Sequence, residues 1–306
     1  MKRTAAIVAA ILFLAVVGKA QGTLHREALT SLVEAERSFA ATSLKIGARP
    51  SFMQFFADDA MVFRPHPVKY KEAMKSVPMP KNPTETTLEW EPIWADIAIS
   101  GDLGYTTGPS VWTDHTAAKR PRYYGFYFSF WKKQASGVWQ VVFDVGTELP
   151  GPFAGSREFH APDPVKRTTA IPPLSTEEHR EEMIEAERVF FQSLKEKKVQ
   201  TLLQKTFEPD ARVYRQGFQP VIGLDSIQSF FLHHPYLTSG ITLNAVVSAA
   251  GDLGYSIGSY TALSSAGTAT VEKGYYLHAW RRDVASRWKL VAEVTSPLPP
   301  ESPNAK

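Results

Sequence analysis

Two glutamates stand where a charge is costly. At about 100° per residue, Leu32, Ala35 and Phe39 define an apolar helical face, and Glu36 falls inside it. Glu187 falls inside the matching arc of Met183, Ala186 and Phe190. A carboxylate on a buried face needs a partner. Arg64 and Arg215 stand two residues after Val62 and Val213 and so share a strand face with them. The expected pairs are Glu36–Arg64 and Glu187–Arg215. Such a pair has two readings. It fixes a helix against a sheet, or it lines a pocket, orienting a ligand carboxylate or holding a glutamate as general base.

Tyrosines, histidines and the remaining acids extend the set. Tyr105 and Tyr255 recur in one motif, and Tyr123-Tyr124 aligns near Tyr275-Tyr276. A tyrosine facing a dry pocket donates to a developing oxyanion; one facing a core packs its ring and satisfies its hydroxyl locally. His66 follows the Arg64 strand, and His278 lies in the penultimate strand. Asp144 and Glu293 close the last strand of each half. The ligand-binding candidates are therefore Glu36, Arg64, His66, Tyr105, Tyr124, Asp144, Glu187, Arg215, Tyr255 and His278. Other chemistry lacks a signature. There is no cysteine, no HExxH and no GxSxG, so no metal or cofactor is expected.

The elements that position these residues are written twice. EAERSF at Glu34–Phe39 returns as EAERVF at Glu185–Phe190. DAMVFR at Asp59–Arg64 returns as DARVYR at Asp210–Arg215, and GDLGY at Gly101 returns at Gly251. The stretch from Phe130 to Val145 matches that from Ala279 to Val294. Four blocks keep one order and nearly one spacing, which marks an internal duplication. GDLGY looks like a phosphate cradle. A cradle, however, leads into a helix N-terminus, whereas GDLGY leads into β-branched and aromatic residues in both copies. The motif therefore predicts a hairpin turn between strands, with Gly104 and Gly254 marking a bulge or a close backbone approach.

In the second half, Ser175 and Glu178 form a capping-box pattern that opens a helix. A shorter helix near 199–207, a strand at 211–215, a helix near 224–232 and strands at about 241–249, 253–264, 271–283 and 288–294 come after it. Helices first and an antiparallel meander last predict an α+β fold. The blocks AERxF, DDAxVFRP, SGDLGYTTG and the paired W(K/R)(K/R)…W resemble the DUF4440 branch of the SnoaL-like, NTF2-like superfamily, once per half. That resemblance implies two tandem cone-shaped α+β barrels, each a curved antiparallel sheet wrapped on helices. It implies roles from isomerase, dehydratase or cyclase to non-catalytic binding and assembly. The second half departs from the family's D-x-G ending: Asp144-Val145-Gly146 becomes Glu293-Val294-Thr295.

Bulk properties bound the rest. Lys2 and Arg3, then thirteen apolar residues from Ala5 to Val17, then Gly18-Lys19-Ala20, form a Sec-type signal-peptide pattern over residues 1–20. The run is short of the roughly 20 residues that span a bilayer. The expectation is an exported protein, periplasmic or secreted, with no stable membrane insertion after cleavage. Without that leader, acids and bases balance at 31 each, and no basic patch points to nucleic acid. The expected layout is a first domain at 21–149, a proline-rich linker at 150–174, a second domain at 175–296 and a tail at 297–306. Duplication and linker length favour an internal pseudo-dimer or a homodimer. Binding of a small, partly apolar molecule in a cone pocket leads as the functional expectation. The alternative is an acid–base enzyme of isomerase, dehydratase or cyclase type in the first pocket.

Overall fold

The fold was established from a computed structural model, which describes residues 2–162, 171–194, 199–234, 236–263 and 270–299. Side chains of residues 2–22, the segment that carries the expected leader, lie outside the description, as do parts of the expected linker and tail. The first half runs α1 (Lys2–Ile46), α2 (Ala48–Phe55), β1 (Phe56–Phe63), β2 (Pro67–Lys69), α3 (Tyr70–Met74), β3 (Thr86–Trp90), β4 (Trp94–Ile97), β5 (Leu103–Asp114), β6 (Tyr123–Lys133) and β7 (Trp139–Glu148). The second runs α4 (Thr176–Leu194), α5 (Val199–Thr206), β8 (Phe207–Tyr214), β9 (Val221–Ile222), α6 (Leu224–His233), β10 (Tyr236–Val247), β11 (Leu253–Leu263), β12 (Thr270–Arg282) and β13 (Trp288–Pro297). The class is α+β, as expected, with one sheet and one set of helices per half. Among the described residues, no helix is long and apolar enough to cross a membrane.

The two sheets share one strand order. The first reads β2-β1-β7-β6-β5-β3, with β4 also on β5; the second, from the matching edge, reads β9-β8-β13-β12-β11-β10. In both, the first long strand lies parallel to the last, and the other pairings are antiparallel. Where the second sheet has one edge strand, the first has β3 and β4. Pro92 stands between them and has no N–H to give the ladder. The capping box forms as expected: the Ser175 N–H donates to the Glu178 carboxylate at 2.7 Å, and the Glu178 N–H donates to the Ser175 hydroxyl at 3.3 Å.

Strand alternation sorts side chains into three cores. One face of the first sheet packs on α1, α2 and α3 around Leu32, Phe39, Phe56 and Trp131. One face of the second packs on its own helices around Met183, Phe190, Tyr276 and Trp280. The remaining faces meet in an intersheet core that draws on both halves, including Tyr105, Phe128, Phe130 and Phe143 from one and Tyr214, Tyr255 and Leu277 from the other. Phe130 and Tyr255 lie 4.5 Å apart, ring to ring. Burying an aromatic of this size contributes roughly 2–3 kcal/mol, so the halves cohere as one body. Polar contacts rim that core. Arg281 pairs with Asp96 at 3.0 Å, and the Arg212 guanidinium lies 3.4 Å over the Trp94 ring.

The GDLGY motif is the hairpin that its context required. Gly101 and Gly251 take φ of 67° and 70°, the left-handed region that glycine enters at little cost. Gly104 and Gly254 allow close approach rather than a bulge: a Cβ on either would lie 2.7 Å from a backbone carbonyl oxygen, that of Asp96 or Val246.

Candidate functional site

One transverse row of residues, on the helix-facing side of each sheet, carries the polar chemistry. In the first sheet Val62 pairs with Asp144, Asp144 with Ser129, and Ser129 with Thr106. In the second Val213 pairs with Glu293, Glu293 with His278, and His278 with Ser256. Arg64 and Arg215 extend the rows two residues beyond Val62 and Val213. Glu36 and Glu187 come down from α1 and α4 at the other end.

In the second unit the row closes into a chain. Arg215 donates to one oxygen of Glu293, and His278 Nε2 donates to the other at 3.0 Å. His278 Nδ1 bonds Glu187 at 2.8 Å, and the Thr242 hydroxyl donates to the second Glu187 oxygen at 2.9 Å. All four ionisable residues are buried. Burial alone would lower the His278 pKa, but the two carboxylates raise it above its ordinary value. Burial would raise that of Glu293, but Arg215 and His278 hold it at about 2. The bonds therefore run without a break from Arg215 through Glu293 and His278 to Glu187. The remaining cavity beside Glu293 measures only about 10 Å³, among Phe190, Leu194, Leu203, Phe231 and Leu237. That is room for one water at most.

In the first unit the same row is broken. Glu36 is fully buried and accepts from Trp90 Nε1 at 2.5 Å, from Trp131 Nε1 at 2.8 Å and from the Thr106 hydroxyl. Burial pushes its pKa up to about 7, and these three donors only partly offset that. Asp144 accepts from the Ser129 hydroxyl at 2.6 Å, and burial pushes its pKa up to about 6. Arg64 is exposed, and its guanidinium donates to Met74 Sδ at 3.3 Å. The expected Glu36–Arg64 and Glu187–Arg215 pairs do not form. The glutamate and the arginine occupy opposite ends of the row, with the Asp144 or Glu293 strand and its neighbour between them.

A cleft of about 300 Å³ opens at the arginine end of the first unit. Arg49, Phe52, Arg64, Tyr70, Met74 and Asp144 line it, with Trp112 and Gly146 at its sides. Arg49 braces one wall through bonds to the carbonyls of Met74, Val77 and Pro78. Burial raises the Tyr70 pKa above its usual value, against the pull of Arg64 and Arg49. Of the residues singled out in the sequence, Arg64 and Asp144 line this cleft, and Glu36 is buried in the same unit at the other end of the row. Glu187, Arg215 and His278 meet in the closed second unit.

The other candidates lie elsewhere. Tyr105 and Tyr255 are buried in the intersheet core, and burial pushes the Tyr105 pKa up to about 12. Tyr124 packs on that core's edge. His66 is exposed and bonds the Tyr275 hydroxyl at 2.7 Å, across the two units. The reason is parity. Successive strand residues face opposite sides, so Thr106 and Ser256 face the helices while the tyrosines before them face the partner sheet. Arg49 and Tyr70 carry no repeat or spacing signal. Proximity of α2 and α3 alone brings them to the cleft.

No family model matches the sequence, and no curated protein matches it. Solved structures do show likeness, each over about the length of one unit. An NTF2-like protein with a cystatin-like fold from Novosphingobium aromaticivorans is 17% identical, over 41% of this chain and 85% of its own, with a TM-score of 0.31. A putative dehydratase from the NTF2-like family of Streptomyces avermitilis is 19% identical, over 40% and 98%, with a TM-score of 0.33. A ketosteroid isomerase-like protein from Erwinia carotovora atroseptica is 14% identical, over 40% and 98%, with a TM-score of 0.34.

Proposed function

We propose that the chain is an exported tandem of NTF2-like units in which the first binds a small, partly apolar molecule and the second is a filled structural partner. The contrast between the units carries this reading. A cleft of about 300 Å³ with Arg64 and Asp144 on its lining faces a counterpart of about 10 Å³ closed by its own ion chain. The lining mixes aromatic and thioether surface with a few polar groups, the usual make-up of a small-molecule site.

Ligand-induced thermal shift across a panel of hydrophobic acids and steroid-like compounds tests this, using the intact chain and Gly146→Trp. Gly146 is exposed on the cleft, and a Cβ there meets nothing closer than 3.6 Å, so a large side chain enters the cleft without backbone strain. Stabilisation by a panel member that G146W abolishes supports the reading. Shifts that survive G146W place binding elsewhere and sink it.

A second reading, acid–base catalysis, draws on one observation. A carboxyl titrating at about 6 beside a cleft suits a general base near neutral pH. Turnover of a binding compound, lost in Asp144→Asn, would favour it over binding alone.

A further inference from the structure

The second unit shows what the arginine of the first is built to hold. Arg64 and Arg215 stand at the same register, two residues beyond the valine that pairs with Asp144 or Glu293. Arg215 is buried and engages the Glu293 carboxylate. Glu293 is one methylene longer than Asp144, so its carboxylate reaches the arginine end of the row. Asp144 is shorter and turns to Ser129 instead. Ser129 in turn stands where His278 grips Glu293 from behind. Among the described residues, the Arg64 guanidinium thus has a side-chain bond only to a thioether, a weak acceptor. Its five donors match a carboxylate in bidentate geometry. The cleft lining carries two arginines against one carboxyl and so favours an anion even with Asp144 ionised.

We infer that the cleft takes a small organic carboxylate, seated on Arg64 as the Glu293 side chain is seated on Arg215, with its apolar body among Phe52, Met74 and Trp112. This rests on the cleft being a binding site, as proposed above. The second unit is then an internal picture of the bound state, its ligand replaced by the chain's own side chain.

The test uses the full chain and two probe pairs of matched shape, benzoate with benzamide and hexanoate with hexanol. Binding is followed by NMR through the Trp112 indole N–H, assigned from Trp112→Phe. In the wild type, the acids should bind about tenfold or more tighter than their neutral partners, the span expected for a charge-assisted bidentate contact. Arg64→Gln should erase that preference and leave the neutral probes unchanged. It is an exposed substitution, and an unchanged melting temperature confirms the fold. Asp144→Glu, by supplying the longer internal carboxylate, should weaken the acids by a similar factor. Equal affinity for acid and neutral probes, or acid binding untouched by R64Q, overturns the anchor while leaving the cleft as a site. Acid binding unaffected by D144E overturns the internal-mimic argument. Failure of every probe, charged or neutral, to move the Trp112 signal removes both this inference and the binding reading.

Discussion

Asp102 and Asp252, the aspartates of the repeated GDLGY motif, hold each other's hairpins. The Asp102 carboxylate accepts the Ala249 N–H of the second unit, and the Asp252 carboxylate accepts the Ile99 N–H of the first, each at 3.0 Å. Each aspartate is also bonded at home, Asp102 by the Ser100 hydroxyl and Asp252 by that of Ser248 at 3.0 Å. The motif recurs because each copy clasps the other, across the edge of the intersheet core. A positive-φ glycine beside each aspartate makes the tight turn that presents it.

Breaking that clasp should cost stability. Hydrogen bonds to a charged group contribute about 1.5–3 kcal/mol. Asp252 is buried and Asp102 is half-buried, so Asp252→Ala should lower stability by roughly 2–3 kcal/mol and Asp102→Ala by about 1 kcal/mol. Urea unfolding measures both. Wild-type midpoints for the two variants would show that the paired bonds contribute nothing to cohesion of the units.

Glu36 should make the protein less stable as pH rises from about 4.5 to about 7. Its carboxyl titrates at about 7 in the fold against an ordinary 4.5. Between those values the native state holds more proton than the unfolded chain, so stability falls with pH, by on the order of 3 kcal/mol across the window. Asp144, raised from 3.8 to about 6, adds a fall of the same sign over a window at lower pH. Glu36→Gln cannot ionise. Its stability relative to wild type should therefore improve from pH 4.5 to pH 7.5, read from urea midpoints. Parallel pH profiles for the two proteins would refute an uncompensated buried acid here.

Much of this arrangement was legible in the sequence, and the missing part has a definite cause. Helical periodicity placed Glu36 and Glu187 on buried faces, and the i+2 rule placed Arg64 and Arg215 on the same face of their strands. Neither rule reaches across a sheet. Lateral neighbours are set by register between strands far apart in sequence, and that register inserts Asp144 or Glu293 next to the arginine. Hence His278, read alone as one residue of a strand, is the centre of a chain joining Glu187 to Glu293. The tyrosines failed for the opposite reason. Within one strand, parity decides everything, and the aromatic residue of each motif draws the eye from the small hydroxyl residue that faces the helices. Tertiary proximity alone supplies Arg49 and Tyr70.

The intersheet position of Tyr255 gives a clean separation of stability from binding. Its ring packs on Phe130 and on Phe143, 5.9 Å away, and it is not among the residues that line the cleft. Tyr255→Ala should cost about 3–5 kcal/mol, the usual loss for emptying an aromatic site in a core. Ligand affinity, measured where the variant remains folded, should stay at the wild-type value. A selective loss of binding with unchanged melting would make Tyr255 a pocket residue again.

His278 should be doubly protonated at neutral pH. Both ring nitrogens face carboxylates, Glu187 at 2.8 Å and Glu293 at 3.0 Å, and an imidazolium can donate to both. Its folded pKa lies above 6.5, so its stabilising contribution is complete below pH 6.5 and fades as pH climbs through the raised value. Glu293, held at about 2, works the other way: its contribution is present above pH 4.5 and lost as pH falls towards 2. The chain should therefore hold best between those limits. Removing His278 takes away the ring that bridges the two buried acids and leaves Arg215 holding only Glu293 of the pair. His278→Ala should cost roughly 3–5 kcal/mol, as breaking a buried ion pair does. Ser129→Ala, at the matching position of the first unit, should cost only about 1 kcal/mol, one hydrogen bond. Nitrogen-15 NMR of the imidazole at pH 7 reads the protonation directly. A neutral ring there, or equal losses for the two alanine variants, would mean that the second unit is not held by an internal ion chain.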